Sequence, residues 1–443
     1  MSDATSMAEA FATGRSDPVQ VLEQALVHAS MASSVFIDVF TERARREAHA
    51  SAARWRAGQP LSPFDGVPVA WKDLFDVAGS ITTAGAAYRR NTPAALLDAP
   101  SVGLLCRAGM VGVGKTNLSE LAYSGLGLNP HFGTPHNPHG GDQPRIPGGS
   151  SSGSAVAVAA GIVPIAMGTD TAGSIRIPSA FNGLVGYRSS RRRYSRDGVF
   201  PLAHTLDSLG PMTRSVRDAL VIDDLLNGRT QTHTARSLKG QRLVLECGVL
   251  ADVEPAVRHN VLRAVEQLKA AGASVEERTS PTFQATLELI RDHGWLGAFE
   301  AFALHQPLLD STDAELLDPR VRRRLEGARA LPASQLIHLM DARRRLQQQL
   351  IDDLDGAILI TPTVAHVAPT LAPLEADDAL FIETNLATLR LTMPGSLLDM
   401  PGVTLPCGHD ALGLPTGLLL SAPMGEDARL LRAALSVESV LNV

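Results

Sequence analysis

Apolar positions recur at three- and four-residue spacing near the start of the chain: Val21, Leu22, Ala25 and Leu26, then Val35 and Val39, ahead of the charged run TERARREAHASAARWRAG. That period matches one face of an α-helix, so residues 1–58 are predicted to be helical. Between residues 60 and 215 the texture changes. Short apolar runs such as GVPVAW and IVPIAM alternate with Gly, Ser, Thr and Pro, the pattern of strands joined by tight loops. From Gly240 onward strands and helices alternate. The pattern predicts a strand over 241–250, an amphipathic helix over 254–271, helix around 283–354 and a buried strand at 356–362. Strands at 402–406 and 416–420 follow, then a closing helix from near Glu426. Alternation of this kind predicts an α/β sheet covered on both faces. No repeat or linker divides the chain, and the polar stretch 227–237 reads as a surface loop. A single domain over 1–443 is therefore expected, with a helical region 1–58, a Gly/Ser/Thr-rich core 60–215 and the rest of the sheet with its covering helices in 240–443.

Composition removes several classes. No run approaches 18 apolar residues, and the opening MSDATSMAEAFATGRSD has no apolar core, so neither a membrane span nor a Sec leader is predicted. Cys106, Cys247 and Cys407 form no CxxC pair and no disulfide framework, a usage that suits the cytoplasm. A formal net charge of −6 gives no global attraction to nucleic acid. With 38 Gly, 28 Pro and 4% aromatic residues, the chain reads as a loop-rich enzyme and not as a fibre, coiled coil or disordered tail.

Two serine-bearing loops stand out. PGGSSSGS (147–154) runs directly into AVAVAAG, and GTDTAGSIRIP (168–178) follows IVPIAM. A Gly/Ser tract alone reads as a linker, but linkers do not pass without a polar spacer into an alanine-rich helix. A Gly-rich loop before a helix instead offers backbone N–H groups to an anion or a developing oxyanion. Ser174 follows Ala172 and Gly173, small residues that let a carbonyl approach the backbone. A serine nucleophile needs a base. His131, His136, His139 and His204 lie nearby in sequence, yet none has a triad context and no GxSxG elbow is present. A lysine made neutral by burial is the other option. Lys72, in GVPVAWKDLFDVAG, sits on such an apolar run; from the residues alone, a base and a lysine snorkelling at a strand end both remain open.

Those three segments together resemble the amidase signature family of Ser–Ser–Lys hydrolases. GVGKTNLSELAYSG, HNPHGG, LDSLGPMTRSVRD, AILITPT and PGVTLPCGHDALGLPTGLLL resemble further family segments in the family's order, so the likeness covers most of the chain. The resemblance implies a mixed, mostly parallel sheet flanked by helices on both faces, with the catalytic residues in 60–215. It implies Lys72 as the base, Ser150, after a cis peptide, as the bridging serine, and Ser174 as the nucleophile. Backbone N–H groups of Thr171, Ala172, Gly173 and Ser174 would then meet the oxyanion, with no metal or cofactor required. Two departures appear: Ala172 stands where the family usually has glycine, and YRSSRRRYSRDG after Gly186 lacks the usual Lys-Pro-Thr. The implied substrate is a small-molecule amide, ester or carbamate, with no nucleic-acid or membrane partner; a homodimer is compatible with this reading. Tyr123, Gly125 and Leu126, with the region 283–345, form the expected pocket wall, whose apolar and small residues lean towards an uncharged or aryl acyl group. The alternative enzymatic reading is the glutaminase component of a tRNA-dependent amidotransferase, which releases ammonia from glutamine. The weak match after Gly186 and the modest length favour a free-standing amidase. A third reading is a non-catalytic binding scaffold, against which intact Lys72, Ser150 and Ser174 argue.

Other motifs carry less. GMVGVGKT (109–116) fits the phosphate-loop pattern, but it follows a helix-like stretch and its middle is strand-like, so a scaffold strand is expected. Arg188, Arg191, Arg192, Arg193 and Arg196, interleaved with Tyr187 and Tyr194, read as a solvated loop. The histidines lack metal-ligand spacing, and Cys106 and Cys407 read as core packing. Asp170 and Arg176 are expected to brace the Ser174 loop by hydrogen bonds.

Overall fold

The computed structural model describes residues 3–441. Among the described residues eleven strands run through one sheet: β1 (Phe36–Val39), β2 (Pro68–Lys72), β3 (Val111–Thr116), β4 (Ile165–Asp170), β5 (Val185–Arg188), β6 (Ser208–Thr213), β7 (Arg242–Glu246), β8 (Ser274–Arg278), β9 (Ile358–Pro362), β10 (Gly402–His409) and β11 (Pro415–Ser421). Their order across the sheet is β1-β3-β2-β4-β6-β5-β10-β11-β9-β7-β8. β2 and β4 show why both faces are buried. Val69, Trp71, Ile165 and Met167 join one core while Ala70 and Ala166 join another on the opposite side, as alternating side chains must.

The mixed α/β sheet matches the expectation, but its direction does not. Four neighbouring pairs are parallel, β3–β2, β2–β4, β9–β7 and β7–β8, and the other six are antiparallel. The sheet is thus mixed rather than mostly parallel. Buried apolar runs do not encode strand direction, because a strand covered on both faces reads the same either way. The antiparallel middle is built by the return of β6 beside β4 and by the β10–β11 hairpin.

Helices form where the pattern places them: Ala4–Ala12, Pro18–Met31 and Thr41–Arg56 at the start, Pro255–Ala270 and Ala333–Leu354 later, and Asp427–Glu438 at the close. Two details differ. The four-residue β1 interrupts the first helical stretch as an edge strand against β3, and the expected strand 241–250 stops at Glu246, where a 3₁₀ turn takes over. The phosphate-loop lookalike is strand β3, as expected. Its Lys115 is consumed by an ion pair with Asp73 at 2.6 Å and bonds to Ile81 O and Thr82 Oγ1.

Candidate active site

β2, β3 and β4 are parallel neighbours, so Lys72, Thr116 and Asp170 finish at the same edge. Open α/β sheets present ligands at the carboxyl ends of their strands. Every residue of β2 is buried, and Lys72 is 0% exposed. Its Nζ donates to Ser150 Oγ at 2.7 Å and to Thr169 Oγ1 at 2.8 Å. Unlike Lys115, it has no ion-pair partner among the described residues. Burial brings the ammonium down to about 7, against the partial opposition of the Asp170 and Asp207 charges.

Ser150 is placed by the loop ahead of the Ser152–Ala159 helix, which is buried along almost its full length against β2, β3 and β4. The Gly149–Ser150 peptide bond is cis. The Gly149 N–H donates to Gly125 O at 2.7 Å, and a Cβ at Gly149 would stand 2.6 Å from Gly127 N, so the approach of the two loops requires glycine there.

The Ser174 loop hangs from Asp170. That carboxylate accepts from Gly173 N at 2.8 Å and Ile175 N at 3.2 Å, and from Arg176 Nε and Nη2, both at 2.9 Å. Arg188 Nη1 approaches it at 3.2 Å. Burial alone would raise the Asp170 carboxyl, but the Arg176 and Arg188 charges outweigh it and hold the group well below the usual carboxylate range. Thr392 Oγ1 donates to Ala172 O at 2.6 Å, and Thr171 Oγ1 to Asp207 Oδ1 at 2.6 Å. At Gly173, φ is +138° and a Cβ would meet Thr392 Oγ1 at 2.2 Å, so no larger residue fits. The bracing by Asp170 and Arg176 is as expected. We expect Asp170→Asn to strip the charge that balances two buried arginines and lower unfolding stability by about 3–5 kcal/mol; an unchanged urea midpoint would contradict this.

Of the four N–H groups expected to meet an oxyanion, one is already engaged. The Gly173 N–H points at Asp170, whereas no acceptor holds the N–H groups of Thr171, Ala172 or Ser174 among the described residues. No hydrogen bond joins the Ser150 and Ser174 hydroxyls among those residues; the loops meet through Ser151 N and Ser174 O at 3.3 Å. None of the nearby histidines bonds to either serine: His131 Nε2 lies 3.0 Å from Glu120, and His139 Nε2 lies 3.3 Å from Asn182 O.

Ser174 opens onto a cavity of about 80 Å³ with Ala172, Tyr123, Trp295, Arg324 and Met393 in its wall. Tyr123 lines this cavity, whereas Gly125 and Leu126 do not. The Gly125 N–H is bonded to Asn385 Oδ1 at 2.8 Å, and Leu126 is buried among Ile177, Phe181 and Leu389. The chain turns into the core after Ser124, so only 122–124 face the cavity. Sequence reasoning reached Trp295 and Arg324 only as part of a broad helical region, and missed Leu386, Leu389 and Met393 altogether, because no local spacing ties them to Ser174. A second cavity, of about 290 Å³, lies across Thr171 and Leu202 and is bordered by Thr169 and Asp207.

The arginine-rich segment also departs from expectation. Arg188 is fully buried against Asp170, Arg193 pairs with Asp223, and the Tyr187 and Tyr194 hydroxyls donate to Asp427 and Asp223. Buried carboxylates draw these groups inward, so much of the segment is structural rather than solvated.

A buried lysine–serine pair thus lies beside a second serine loop, at the carboxyl ends of parallel strands in a mixed α/β sheet. The amidase family model matches residues 20–431, and the chain belongs to the amidase, or amidase signature, family of enzymes acting on non-peptide C–N bonds. It is 34% identical over 408 residues to 2-amino-5-chloromuconic acid deaminase of Comamonas testosteroni, covering 90% of this chain and 87% of that one. It is also 34% identical to the A subunit of glutamyl-tRNA(Gln) amidotransferase from Prochlorococcus marinus (strain MIT 9303), covering 92% and 90%. A crystal structure of an amidase superposes with a TM-score of 0.88 at 32% identity, covering 100% of both chains. Among the described residues no helix is long and apolar enough to cross a membrane.

Proposed function

We propose that this chain hydrolyses the C–N bond of a small-molecule amide, or a related ester or carbamate, through an acyl-enzyme on Ser174. The observation that carries this reading is the short contact from a carboxylate-free, buried Lys72 to Ser150 Oγ, 2.7 Å. Neutral Lys72 takes the Ser150 proton as Ser150 takes that of Ser174, and Ser174 Oγ attacks the carbonyl carbon. The N–H groups of Thr171, Ala172 and Ser174 meet the developing oxyanion. Gly173 serves by tying the loop to Asp170. As the tetrahedral species collapses, Ser150 passes a proton to the leaving nitrogen and is reprotonated by Lys72. Water, deprotonated by the same relay, then attacks the ester carbon and releases the acid and Ser174.

Similarity to an amidotransferase component supports a second reading, in which the same serine releases ammonia from glutamine for a partner. Turnover of simple amides by the purified chain alone distinguishes the two. A fluorophosphonate probe tests the shared chemistry. Labelling should map to Ser174, and Ser150→Ala should slow it by about 10²–10⁴, the usual worth of acid–base assistance. A label on another serine, or none, would refute the assignment, as would undiminished labelling in the Ser150 variant.

A further inference from the structure

Four arginines from two distant stretches of the chain meet around a cavity of about 540 Å³: Arg191 and Arg192 shortly after β5, and Arg343 and Arg344 in the Ala333–Leu354 helix. None of its lining residues lines the Ser174 cavity. The rest of the wall is largely apolar. Leu296 is buried and Leu336 partly buried, while Met340 and Met424 lie on the solvent side, 47% and 57% exposed.

Much of the charge gathered there is unanswered. Arg343 is only 9% exposed, yet its partners are carbonyls: Nε donates to Leu397 O at 2.6 Å and Nη2 to Thr205 O at 2.9 Å. No carboxylate pairs with it among the described residues. Burial lowers its guanidinium from the ordinary range, Asp399 opposes that, and the Arg191 and Arg188 charges add to it. It stays charged all the same. Arg191 Nε is covered from solvent without a hydrogen-bond acceptor, 3.6 Å from Asp399 Oδ2. Arg192 has no hydrogen bond or ion pair among the described residues, whereas Arg344 bonds to Asp341 on its own helix. The two carboxylates of the lining do not balance this set. Asp399 is shared with Arg188, at 3.8 Å, and accepts from Arg191 N at 3.0 Å. Glu300 accepts from the backbone N–H and the hydroxyl of Thr205.

A desolvated cation without a counter-charge is costly. Guanidinium forks suit carboxylates and phosphates, which they take by paired bonds. A few convergent polar groups in an apolar cavity of this size are the usual form of a small-molecule site. We propose that this cavity is a second binding site, for a small organic anion. Its carboxylate or phosphate head lies between Arg191 and Arg343, and its apolar body lies against Leu296, Leu336 and Met340. Such a ligand binds whether or not Ser174 reacts.

Calorimetric titration of the full-length chain at low ionic strength, where charge pairing is least screened, tests this with four probes: phenylacetate, phenyl phosphate, inorganic phosphate and the uncharged phenylethanol. One or both aromatic anions should bind, and the tighter identifies the head group as carboxylate or phosphate. Inorganic phosphate, lacking the apolar body, and phenylethanol, lacking the charge, should each bind at least tenfold more weakly. Arg191→Gln should weaken the aromatic anion about tenfold, the worth of one bond to a charged group. Met340→Glu, at an exposed position that tolerates a carboxylate, should weaken it several-fold by like-charge repulsion. Neither residue lines the Ser174 cavity, so losses in both variants locate the ligand here. The inference is overturned if neither aromatic anion binds, or if inorganic phosphate or phenylethanol binds as tightly as they do. It is equally overturned if Met340→Glu, or a folded Arg191→Gln, keeps wild-type affinity.

Discussion

Ser174→Ala is expected to lower kcat on any amide substrate by about 10⁶, the scale seen when a serine nucleophile is removed from an otherwise intact hydrolase. In the proposed mechanism the Ser174 hydroxyl oxygen is the atom that bonds to the acyl carbon, so no neighbour can substitute for it. The Ser174 backbone still offers its N–H, and Asp170 still holds the loop through Gly173 N and Arg176, so the fold should persist. Circular dichroism and thermal unfolding of the variant should therefore match wild type while covalent labelling disappears. Residual turnover within tenfold of wild type would mean that another group attacks, and Ser150 would be the first to examine.

Lys72 carries the second large effect. A base must be neutral, and an exposed lysine with a pKa near 10.4 would be almost fully charged at pH 7. Burial brings Lys72 to about 7, so kcat/KM should rise tenfold per pH unit below that value and level off above it. Lys72→Ala should lose several orders of magnitude and the limb with it, and Lys72→Arg should not recover activity, since guanidinium remains protonated. A Lys72→Ala enzyme that keeps the wild-type rate and the same limb would place the base elsewhere. Stability should move the other way. With a folded pKa below the unfolded one, the unfolded chain binds more protons between about pH 7 and 10.5. The lysine thus destabilises the fold most below pH 7, by on the order of 5 kcal/mol at 1.36 kcal/mol per unit, and the penalty fades as pH rises towards 10.5. Lys72→Met should accordingly unfold at higher temperature than wild type at pH 7, with a smaller margin at pH 9.

The residues expected to perform the reaction were legible in the sequence because each lies in a contiguous motif with a local job. GVPVAWK is a buried strand whose end desolvates a lysine, and PGGSSSGS is a close approach followed by a helix of small side chains. Asp170 and Arg176 were readable as braces for the same reason, since they are six residues apart on one loop. The wall of the pocket was not. Leu386 and Met393 line the Ser174 cavity from helices far along the chain and Trp295 from the turn ahead of another, and their own surroundings in sequence look like ordinary amphipathic segments. Gly125 and Leu126 show the converse error: nearness to Tyr123 in sequence suggested the cavity, while a turn sends them into the core. Strand direction was hidden for a third reason. Burial on both faces erases the alternation that would mark an exposed antiparallel strand, and the buried Arg188 and half-buried Arg193 look like surface charge until Asp170 and Asp223 are placed beside them.

The reacting groups proposed here all come from residues 72–174, whereas much of the wall facing them comes from 295–393. Thr392 Oγ1 on Ala172 O and Arg176 on Ser396 Oγ, at 2.6 and 2.7 Å, fasten the second part to the first. On the proposed mechanism, the reacting groups and much of the wall that faces them therefore lie in separate stretches of the chain. A library varied at Trp295, Leu386 and Met393, with Thr392 and Ser396 held fixed, can change what is accepted without altering how it is cleaved. Chimaeras that exchange the later segment between relatives should inherit their substrate range from the donor of that segment.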